Sequence, residues 1–512
     1  MKLESGRLIW GPYNLPIAKA TGHFLVTGTT GSGKTTLIDV FMRTVFEANN
    51  IDMARAIVYD PKQDFMPKLE GLGLEDKVKN LNPFSADCAS WDMNKDIDDV
   101  LSAIQFASTL LPESTSASPE SPFFDNACRD LISGVILTFA NCVPKKTWTF
   151  RDVLLTLLYQ PNMEAILGLR RTRGGQPFPL SSRLWNSYLN PKTTDERTRS
   201  NVIATLNAKL SIFEPVAESW HWAEYSFSLR EWAKDCIDQT RDGGPNVLVL
   251  GNEESARAAI DPINRAIFQR AVELVLARKE ISEYSKSVGN DLTWFFLDEV
   301  REAGELSALN SLLTKGRSKG ASVVLSFQDI DGLRAVYGQE LANEIVANCN
   351  NVALLRTNSA STAEWAADMF GRFLITEADT TEGMSGGTLS SSTTRRITER
   401  SPVQPGDFLY LPLPSQENGL VGYFRDADAS RSEPMLRKLD WDELLALRPT
   451  TNYKYIPPPE GWLLTPWDQS DWERLGLEGA VPNWGESEPS ENGKPPKPTG
   501  KRKPSTWRTD KP

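Results

Sequence analysis

Nine consecutive residues near the amino terminus have the types and the spacing of a loop that binds phosphate. Eight of them fit the pattern G-x-x-x-x-G-K-[ST], and the nine are Gly28, Thr29, Thr30, Gly31, Ser32, Gly33, Lys34, Thr35 and Thr36. Glycines allow a backbone to wrap around a polyphosphate, so that its N–H groups and the start of the next helix face the negative charge. In this pattern Lys34 contacts the β- and γ-phosphates and Thr35 binds Mg²⁺. The motif therefore predicts binding of ATP with Mg²⁺, with a chance glycine-rich turn as the alternative.

A pair of acidic residues follows an apolar run in the second half of the chain. Residues 293–300 read TWFFLDEV, which predicts a buried strand that presents Asp298 and Glu299 at its carboxyl end. Asp298 suits the binding of Mg²⁺, directly or through water, and Glu299 suits the base that orients and activates the attacking water. The alternative is an acidic helix start, where the helix dipole favours carboxylates. Beside a phosphate-binding loop, the pair predicts an enzyme that hydrolyses ATP.

Further polar residues follow other apolar runs and extend the candidate site. Gln328, after VVLSF, is a candidate for sensing the γ-phosphate or positioning water, or else an ordinary polar loop residue. Arg356 and Arg317 are candidates for stabilising the transition state, within one subunit or across to a neighbour, or else members of structural ion pairs. Of the two we favour Arg356, which ends the run NVALLR. Lys62 either faces the nucleotide or lies in a solvated turn.

These residues must be positioned by the elements that precede them. Short apolar runs predict strands at 23–27, 55–59, 246–250, 293–297, 322–326 and 351–355. Between the runs lie segments with helical spacing of apolar residues, at 34–49, 263–279, 303–315 and 339–347. Such alternation is typical of an α/β protein with a doubly wound, mostly parallel sheet.

The alternation is interrupted by a stretch with helical spacing alone, at 97–111, 124–140, 149–159 and 199–213. We therefore predict a nucleotide-binding domain in two parts, with an all-α domain inserted between them. The predicted divisions are 1–95 and 236–430 for the two parts, 96–235 for the insertion, 431–486 for a C-terminal extension and 487–512 for a disordered tail. Near the end of the second part, VQPGDFLYLP and GLVGYFRD predict closing β-elements.

Composition and charge narrow the class of protein. Hydrophobic residues make up 40% of the 512 and charged residues 24%, which is ordinary for a globular protein with more than one domain. A net charge of −11 gives no global basic field, although local patches or a ring channel would still permit DNA binding. Five scattered cysteines and two histidines make a disulfide framework or a zinc site unexpected. With no secretory signal and no run of about 20 apolar residues, we expect a cytoplasmic protein.

The ordered combination of motifs resembles the type IV secretion coupling-protein family, a branch of the FtsK/HerA-like hexameric motor ATPases. The segments that carry the resemblance are HFLVTGTTGSGKTT (23–36), AIVYDPKQDF (56–65), FFDNACRDLISGVI (123–136), the stretch from TWFFLDEV to FQDIDGL (293–333) and VALLRTNSASTAEWAADMFG (352–371). The phosphate-loop motif alone is widespread. The tripeptide DPK after the second strand and LLTKGRSKGASVVLSFQ after the acidic pair are much more discriminating.

The resemblance implies a RecA-like nucleotide-binding domain with an inserted all-α domain, assembled as a homo-hexameric ring. Such proteins use ATP to bind and move DNA, and they link a relaxase–DNA complex to a secretion channel. The positions that match the family's binding and catalytic residues are Lys34, Thr35, Asp298, Glu299, Gln328 and Arg356. Family members usually begin with two transmembrane helices, whereas 27 residues precede Gly28 in this sequence. We therefore expect that the chain reaches the inner membrane only peripherally, through a partner.

Three functions are compatible with these features. The first is a DNA-stimulated ATPase that translocates single- or double-stranded DNA in conjugative transfer. The second is an adaptor that recruits relaxase or effector proteins to a secretion channel, with ATP as an assembly switch. The third is a non-conjugative ATPase of the same superfamily, acting in DNA processing or phage defence. The intact acidic pair Asp298–Glu299 favours an active enzyme, and no nuclease motif supports the third function.

Overall fold

The computed structural model describes residues 6–48, 55–74, 76–85, 87–113, 121–169, 178–234, 246–288, 291–385, 388–426, 435–449 and 464–477. Its strands are β1 (Arg7–Trp10), β2 (Tyr13–Pro16), β3 (Phe24–Thr27), β4 (Arg55–Asp60), β5 (Val78–Asn80), β6 (Ala89–Trp91), β7 (Tyr225–Phe227), β8 (Val247–Gly251), β9 (Thr293–Leu297), β10 (Ala321–Phe327), β11 (Asn351–Leu354), β12 (Phe373–Ser385), β13 (Thr388–Arg400), β14 (Leu420–Arg425) and β15 (Met435–Leu439).

The α-helices are α1 (Lys34–Ala48), α2 (Phe65–Gly71), α3 (Met93–Asp96), α4 (Val100–Leu110), α5 (Ser121–Cys142), α6 (Phe150–Leu158), α7 (Gln160–Leu167), α8 (Pro179–Leu184), α9 (Glu196–Leu210), α10 (Glu214–Trp222), α11 (Leu229–Trp232), α12 (Arg257–Leu276), α13 (Glu283–Val288), α14 (Leu309–Lys315), α15 (Ile330–Tyr337), α16 (Gln339–Ala347), α17 (Ala360–Asp368), α18 (Pro405–Leu409), α19 (Trp441–Leu447) and α20 (Gln469–Leu475).

Nine strands form one sheet in the order β15–β14–β11–β3–β10–β9–β4–β8–β5. The seven strands from β11 to β5 run parallel, and β14 and β15 add antiparallel pairings at one edge. Every residue of β3, β4, β8, β9, β10 and β11 is buried, as expected for parallel strands that are covered on both faces. The predicted α/β class with a mostly parallel sheet is therefore confirmed, and all six strands that the apolar runs predict occur.

The two faces of the sheet belong to two hydrophobic cores. Phe24 and Val26 of β3 pack into a core with Phe41 of α1. Leu25, which lies between them in sequence, packs into the other core, which continues through α5 and α6 of the inserted unit. This alternation follows from the two-residue period of a strand. Because both cores meet at β3, the loop that follows this strand is anchored from both sides.

Helices α3 to α11 form an all-α unit in the chain between β6 and β8, in agreement with the helical insertion predicted from sequence. The 22-residue helix α5 is central, since α4, α6, α7, α8 and α9 all pack against it. Local chemistry sets the helix starts: Asp99 accepts hydrogen bonds from the backbone N–H groups of Leu101 and Ser102, and Thr149 and Asp152 form a capping box. A short parallel pair, β6 with β7, accompanies the helices.

The segment VQPGDFLYLP departs from the prediction, because residues 405–409 form helix α18 and not a β-element. Pro405 occupies the first turn, where its missing N–H is not needed, and Gln404 and Asp407 form a capping box. These local signals outweigh the apolar residues that suggested a strand. The second predicted closing element, GLVGYFRD, does form a strand, β14.

Two further features were not predicted. Strands β12 and β13, of 13 residues each, pair as an antiparallel hairpin over residues 373–400. The short helix α20 returns to the all-α unit and packs against it, while the tail predicted at 487–512 lies outside the described residues. Among the helices that the structure describes, none combines the length and the apolar character that crossing a bilayer requires.

Candidate nucleotide-binding site

The loop between β3 and α1 is closely packed where glycine occurs. A Cβ atom at Gly28 would lie 2.5 Å from Ser32 Oγ, so a larger residue would displace the loop. Gly33 has φ = 95°, a conformation that side chains disfavour, and a Cβ there would lie 2.5 Å from Leu420 Cδ1. Helix α1 begins at the next residue, Lys34. The loop thus has a fixed shape, with the positive end of α1 directly behind it.

Lys34 is the central cation of the site and is only 6% exposed. Its ammonium donates a hydrogen bond to the carbonyl oxygen of Gly28 at 2.6 Å and lies 3.2 Å from Glu299 Oε1. Burial lowers the pKa of Lys34 below its ordinary value, while the Glu299 carboxylate acts in the opposite direction. The phosphate-loop lysine and the acid after β9, which are 265 positions apart in sequence, therefore meet in one buried ion pair.

Asp298 and Glu299 are both buried and are held by the neighbouring strand β10. Since β9 and β10 pair in parallel, Ser326 lies beside Asp298, and its hydroxyl donates a hydrogen bond to Asp298 Oδ1. The same hydroxyl accepts a hydrogen bond from the backbone N–H of Glu299 at 3.1 Å. Glu299 has φ = 52°, a left-handed conformation that is uncommon outside glycine and often marks functional sites. Ser326 thereby fixes both acids through one side chain.

The turn after β4 brings a second cation to the acids. Lys62 Nζ lies 3.9 Å from Glu299 Oε1, so this half-exposed lysine faces the site and not only solvent. The turn is held by Asp60, whose carboxylate accepts hydrogen bonds from the backbone N–H groups of residues 64, 65 and 66. Burial raises the pKa of Asp60 to about 6, and those three hydrogen bonds oppose the shift.

Gln328 and Arg356 lie, like the phosphate loop, at the carboxyl ends of the parallel strands. Phe327 pairs with Thr27 across β10 and β3, so the exposed Gln328 follows directly beside Gly28. The carbonyl oxygen of Arg356 accepts a hydrogen bond from the N–H of the loop residue Thr29 at 2.7 Å. Its guanidinium, however, donates to the carbonyl of Leu411 at 3.4 Å. Arg356 therefore supports the loop through its backbone, and its side chain is engaged elsewhere.

Arg317 occupies a different place from the other candidates. It lies in the turn 316–319 that precedes β10, whereas the phosphate loop follows the carboxyl end of the parallel strand β3. The structure therefore puts Arg317 at the amino-terminal ends of the parallel strands, on the other side of the sheet's length from the phosphate loop, where it is exposed to solvent. Within a single chain it does not belong to the site.

Sequence reasoning missed Ser326, Asp60 and Asn358 as members of the site. Asn358 Nδ2 donates a hydrogen bond to Thr29 Oγ1 at 3.3 Å. A signal existed for Asp60, because DPK follows a predicted strand as the other site residues do. Ser326 lies within the predicted strand 322–326, and only the pairing of β10 with β9 reveals its partner.

The residues present fit a triphosphate and a magnesium ion. Ser32 Oγ is buried inside the loop and has no hydrogen-bond partner among the described residues, as expected of a group that awaits a ligand. The hydroxyl of the half-buried Thr35 and the carboxylate of Asp298 are hard oxygen donors, which suit Mg²⁺ when phosphate and water complete the coordination. Within the described residues, no group of three or more histidine, cysteine, aspartate or glutamate side chains offers an all-protein metal site.

Comparison with known proteins places this geometry in context. Coupling protein TraD of Escherichia coli K12 is 23% identical over 360 residues, a match that spans 70% of this chain and 45% of TraD. Conjugal transfer protein TraG of Agrobacterium fabrum is 22% identical over 261 residues, which span 48% of this chain and 37% of TraG. The chain thus corresponds to less than half the length of these two curated relatives.

Solved structures of the conjugative coupling protein TrwB share the fold. The complex of TrwB with the ATP analogue ADPNP matches with a TM-score of 0.60 and 19% identity, over 86% of this chain and 90% of TrwB. TrwB with ADP and Mg²⁺ gives a TM-score of 0.59. The family model of the type IV secretion-system coupling protein DNA-binding domain matches residues 7–431. The chain belongs to the type IV secretion-system coupling protein family.

Proposed function

We propose that this protein is an ATPase that couples ATP hydrolysis to DNA transfer in conjugation or type IV secretion. The observation that carries the proposal is the meeting of Lys34 and Glu299 at 3.2 Å, which joins a complete phosphate loop to a candidate catalytic base. Membership in the coupling-protein family and the likeness to TrwB, which has been solved with ADPNP and with ADP and Mg²⁺, support the same substrate and cofactor.

Binding would exploit charges that are only partly satisfied by protein groups. The phosphates of ATP would occupy the loop from Gly28 to Thr36 and offer Lys34 stronger acceptors than the Gly28 carbonyl. Thr35 and Asp298 would hold Mg²⁺, which when bound neutralises charge on the β- and γ-phosphates. Lys34 would then bridge toward the γ-phosphate and leave the carboxylate of Glu299 free to act on water.

Hydrolysis needs a water aimed at the γ-phosphorus. Glu299 would accept a proton from that water while the oxygen bonds to phosphorus and the bond to the ADP oxygen breaks. The hydrogen bond from the Glu299 N–H to Ser326 fixes the backbone that carries this carboxylate. Gln328, exposed beside Gly28, would position the water or sense the γ-phosphate.

An arginine would stabilise the charge of the transition state. Arg356 remains our first candidate within the subunit, provided that its guanidinium leaves the Leu411 carbonyl. If the protein assembles as a homo-hexamer, as the family suggests, the exposed Arg317 at the amino-terminal ends of the strands could instead enter the nucleotide site of a neighbouring subunit. Arg356 within the subunit and Arg317 from a neighbouring subunit are alternative sources of this charge.

The partners that we propose follow from the family. The family model describes a DNA-binding domain, TraD is a coupling protein and TraG is a conjugal transfer protein. We therefore propose single- or double-stranded DNA as the polymer that is moved, and relaxase and secretion-channel proteins as contacts at the inner membrane. A net charge of −11 implies that DNA would be held by local basic groups and not by the overall field.

The experiment that tests this function is the ATPase rate of the purified chain with and without single- and double-stranded DNA, at low and moderate salt. We expect DNA to stimulate turnover, and the stimulation to fall steeply with salt because phosphate contacts release counterions. Heparin, a polyanion without bases, is the control for simple charge effects. Turnover that is indifferent to both forms of DNA would contradict the motor and favour the adaptor that uses ATP as a switch.

A further inference from the structure

A loop on the other side of the phosphate loop has no role in the function described above. Residues 410–419, named here the shelf, connect α18 to β14. Pro414 Cγ lies 3.2 Å from the point where a Cβ of Gly33 would stand, and the Arg356 guanidinium donates to the carbonyl of Leu411 at 3.4 Å. The shelf therefore contacts the phosphate loop directly and is tied to the strand end beside it.

The shelf is internally braced. Ser415 and Gly419 exchange two backbone hydrogen bonds, at 3.4 and 2.7 Å, and form an isolated β-bridge. The backbone N–H of Asn418 donates to Ser415 Oγ at 3.0 Å, and its side-chain amide donates to the carbonyl of Leu413 at 3.4 Å. Leu411, at 5% exposure, anchors the near end in the core. Such a loop offers a preformed surface, which a ligand can use without a large ordering cost.

The shelf is apolar at the end nearer α18, where Tyr410 and Leu413 are exposed, whereas its other exposed side chains, Gln416, Glu417 and Asn418, are polar. Tyr410 is 85% exposed, the highest value among the exposed large hydrophobic side chains that the structure describes, and Leu413 is 46% exposed. A scattered exposed apolar residue needs no explanation, but two on a braced loop beside a ligand site form a small contact surface.

The direction of a bound nucleotide is set by the acids. In the order of the sheet, β9 and β4 lie on one side of β3, and β11 and β14 lie on the other. Asp298 and Glu299 directly follow β9, and Lys62 follows β4. The γ-phosphate must approach the acids, because the attacking water is activated there. The ribose and base then leave the loop on the opposite side, which is where the shelf lies.

We propose that Tyr410, with Leu413 beside it, is the surface on which the base of the bound nucleoside triphosphate rests. This rests on the proposed function. The phenol ring stacks on the flat base and the leucine contacts its edge or the ribose, so the shelf recognises the presence of a base and not the phosphates. Stacking is tolerant of base identity, so both purines gain from it. Tyr410 is thus a positioning and affinity residue, separate from the groups that act on the γ-phosphate.

The test compares two probes, a non-hydrolysable ATP analogue and inorganic tripolyphosphate, each with Mg²⁺, by calorimetric titration of the full chain. The variants are Tyr410→Ala and Tyr410→Phe, with Tyr284→Ala as the matched control. Tyr284, on α13, is 74% exposed. Helix α13 packs against the turn before β3, at the end of the strands opposite to the nucleotide site. We expect Tyr410→Ala to weaken the analogue about tenfold and to leave tripolyphosphate binding unchanged. Tyr410→Phe and Tyr284→Ala keep the wild-type affinity for both probes.

Four results would overturn the assignment of the shelf as the base-binding surface. Equal affinity of Tyr410→Ala and wild type for the analogue would show that no base rests there. An equal loss for both probes would show that the variant only distorts the phosphate loop. A change in self-association at unchanged affinity, followed by light scattering in the same samples, would assign Tyr410 to a subunit contact. A wild-type chain that binds neither probe contradicts the proposed function itself, whereas binding of tripolyphosphate with no gain from the base contradicts the shelf alone.

Discussion

The nucleotide site and the seam that joins α20 to the all-α unit both bury charge, yet they satisfy it differently. At the seam, Arg474 donates two hydrogen bonds to Asp152, at 2.8 and 3.1 Å, and Trp467 donates a third at 2.8 Å. Arg151 donates to Asp471 at 3.1 Å and to the carbonyl of Thr465 at 2.7 Å. Most of the charged atoms of the seam are thus matched by protein groups; Arg151 Nε has no hydrogen bond among the described residues but lies 3.7 Å from Glu218 Oε2.

In the nucleotide site, similarly buried charged groups make fewer hydrogen bonds to protein groups than in the seam. Among the described residues, Lys34 donates one hydrogen bond to the carbonyl oxygen of Gly28 and forms an ion pair with Glu299. Ser32 Oγ lacks a partner among the described residues, and Glu299 holds a left-handed backbone. Incomplete satisfaction costs stability, so it persists where a ligand completes it. Between these two regions, the buried charges with fewer hydrogen bonds are those beside the phosphate loop, where a ligand would complete them.

The largest effect should come from removing the cation of the nucleotide site. We expect Lys34→Ala to lower ATP turnover about 100- to 1000-fold, because the developing charge on the phosphates loses a donor inside a water-poor site. Steady-state ATPase assays measure the change, and circular dichroism checks that the variant stays folded. The half-exposed Lys62 is the control, since Lys62→Ala should cost much less. Equal losses in the two variants would break the distinction between them.

At the seam the same kind of change should affect stability and not catalysis. We expect Asp152→Ala to lower the free energy of unfolding of the all-α unit by about 3 kcal/mol, because it removes a fully buried carboxylate that accepts hydrogen bonds from Arg474, Trp467 and the backbone N–H of Thr149. Denaturant unfolding monitors the loss, and nucleotide affinity should stay at the wild-type value. The control is Asp98→Ala, which breaks an exposed pair with Arg230 and should change little. Stability unchanged in Asp152→Ala would contradict the structural role of the seam.

His23 is a buried titratable group outside both the nucleotide site and the seam, and it predicts how stability depends on pH. His23 is 3% exposed, accepts the N–H of Val323 at Nδ1 and donates from Nε2 to the carbonyl of Leu313, and burial lowers its pKa to about 4. Below about pH 6.5 the unfolded chain binds a proton that the folded chain refuses, so stability is lost as pH falls from 6.5 toward 4.

His23→Asn removes this titration, and asparagine is, like histidine, among the residues found most often at the positive φ that position 23 has. The opposite pKa shift of Asp60 is present in both proteins and cancels in the difference. We expect the wild type to lose about 2 kcal/mol relative to the variant between pH 7.5 and pH 5. Parallel denaturant titrations at the two pH values measure this. A pH-independent difference would show that the pKa of His23 is the same in the folded and unfolded chains, and would contradict the lowered value.

The sequence predicted the elements that are determined locally. Strand β9 has the predicted bounds, and β3 lies within its predicted run, because apolar residues buried on both faces leave a continuous signal. The phosphate loop was predictable for a similar reason, since its chemistry lies in consecutive residues. Residues 405–409 were predicted wrongly because Pro405 and the cap at Asp407 act over a few positions, against a run of apolar residues.

Contacts between distant segments could not be predicted. The bond from Ser326 to Asp298 depends on the register of β9 with β10, and the ion pair of Lys34 with Glu299 depends on the left-handed backbone of Glu299. The seam joins residues about 320 positions apart, and no local pattern marks such a pairing. The roles of Gln328 and Arg356 remain predictions.

The measurement that tests the central claim most directly is ATP hydrolysis by Glu299→Gln beside Glu305→Gln. Glu305 is an exposed acid six positions further on and serves as the matched control. If Glu299 activates water, Glu299→Gln keeps its affinity for ATP with Mg²⁺ but loses turnover by about 100-fold or more, so that unreacted ATP stays bound, and Glu305→Gln behaves as wild type. Wild-type turnover in Glu299→Gln would contradict the account.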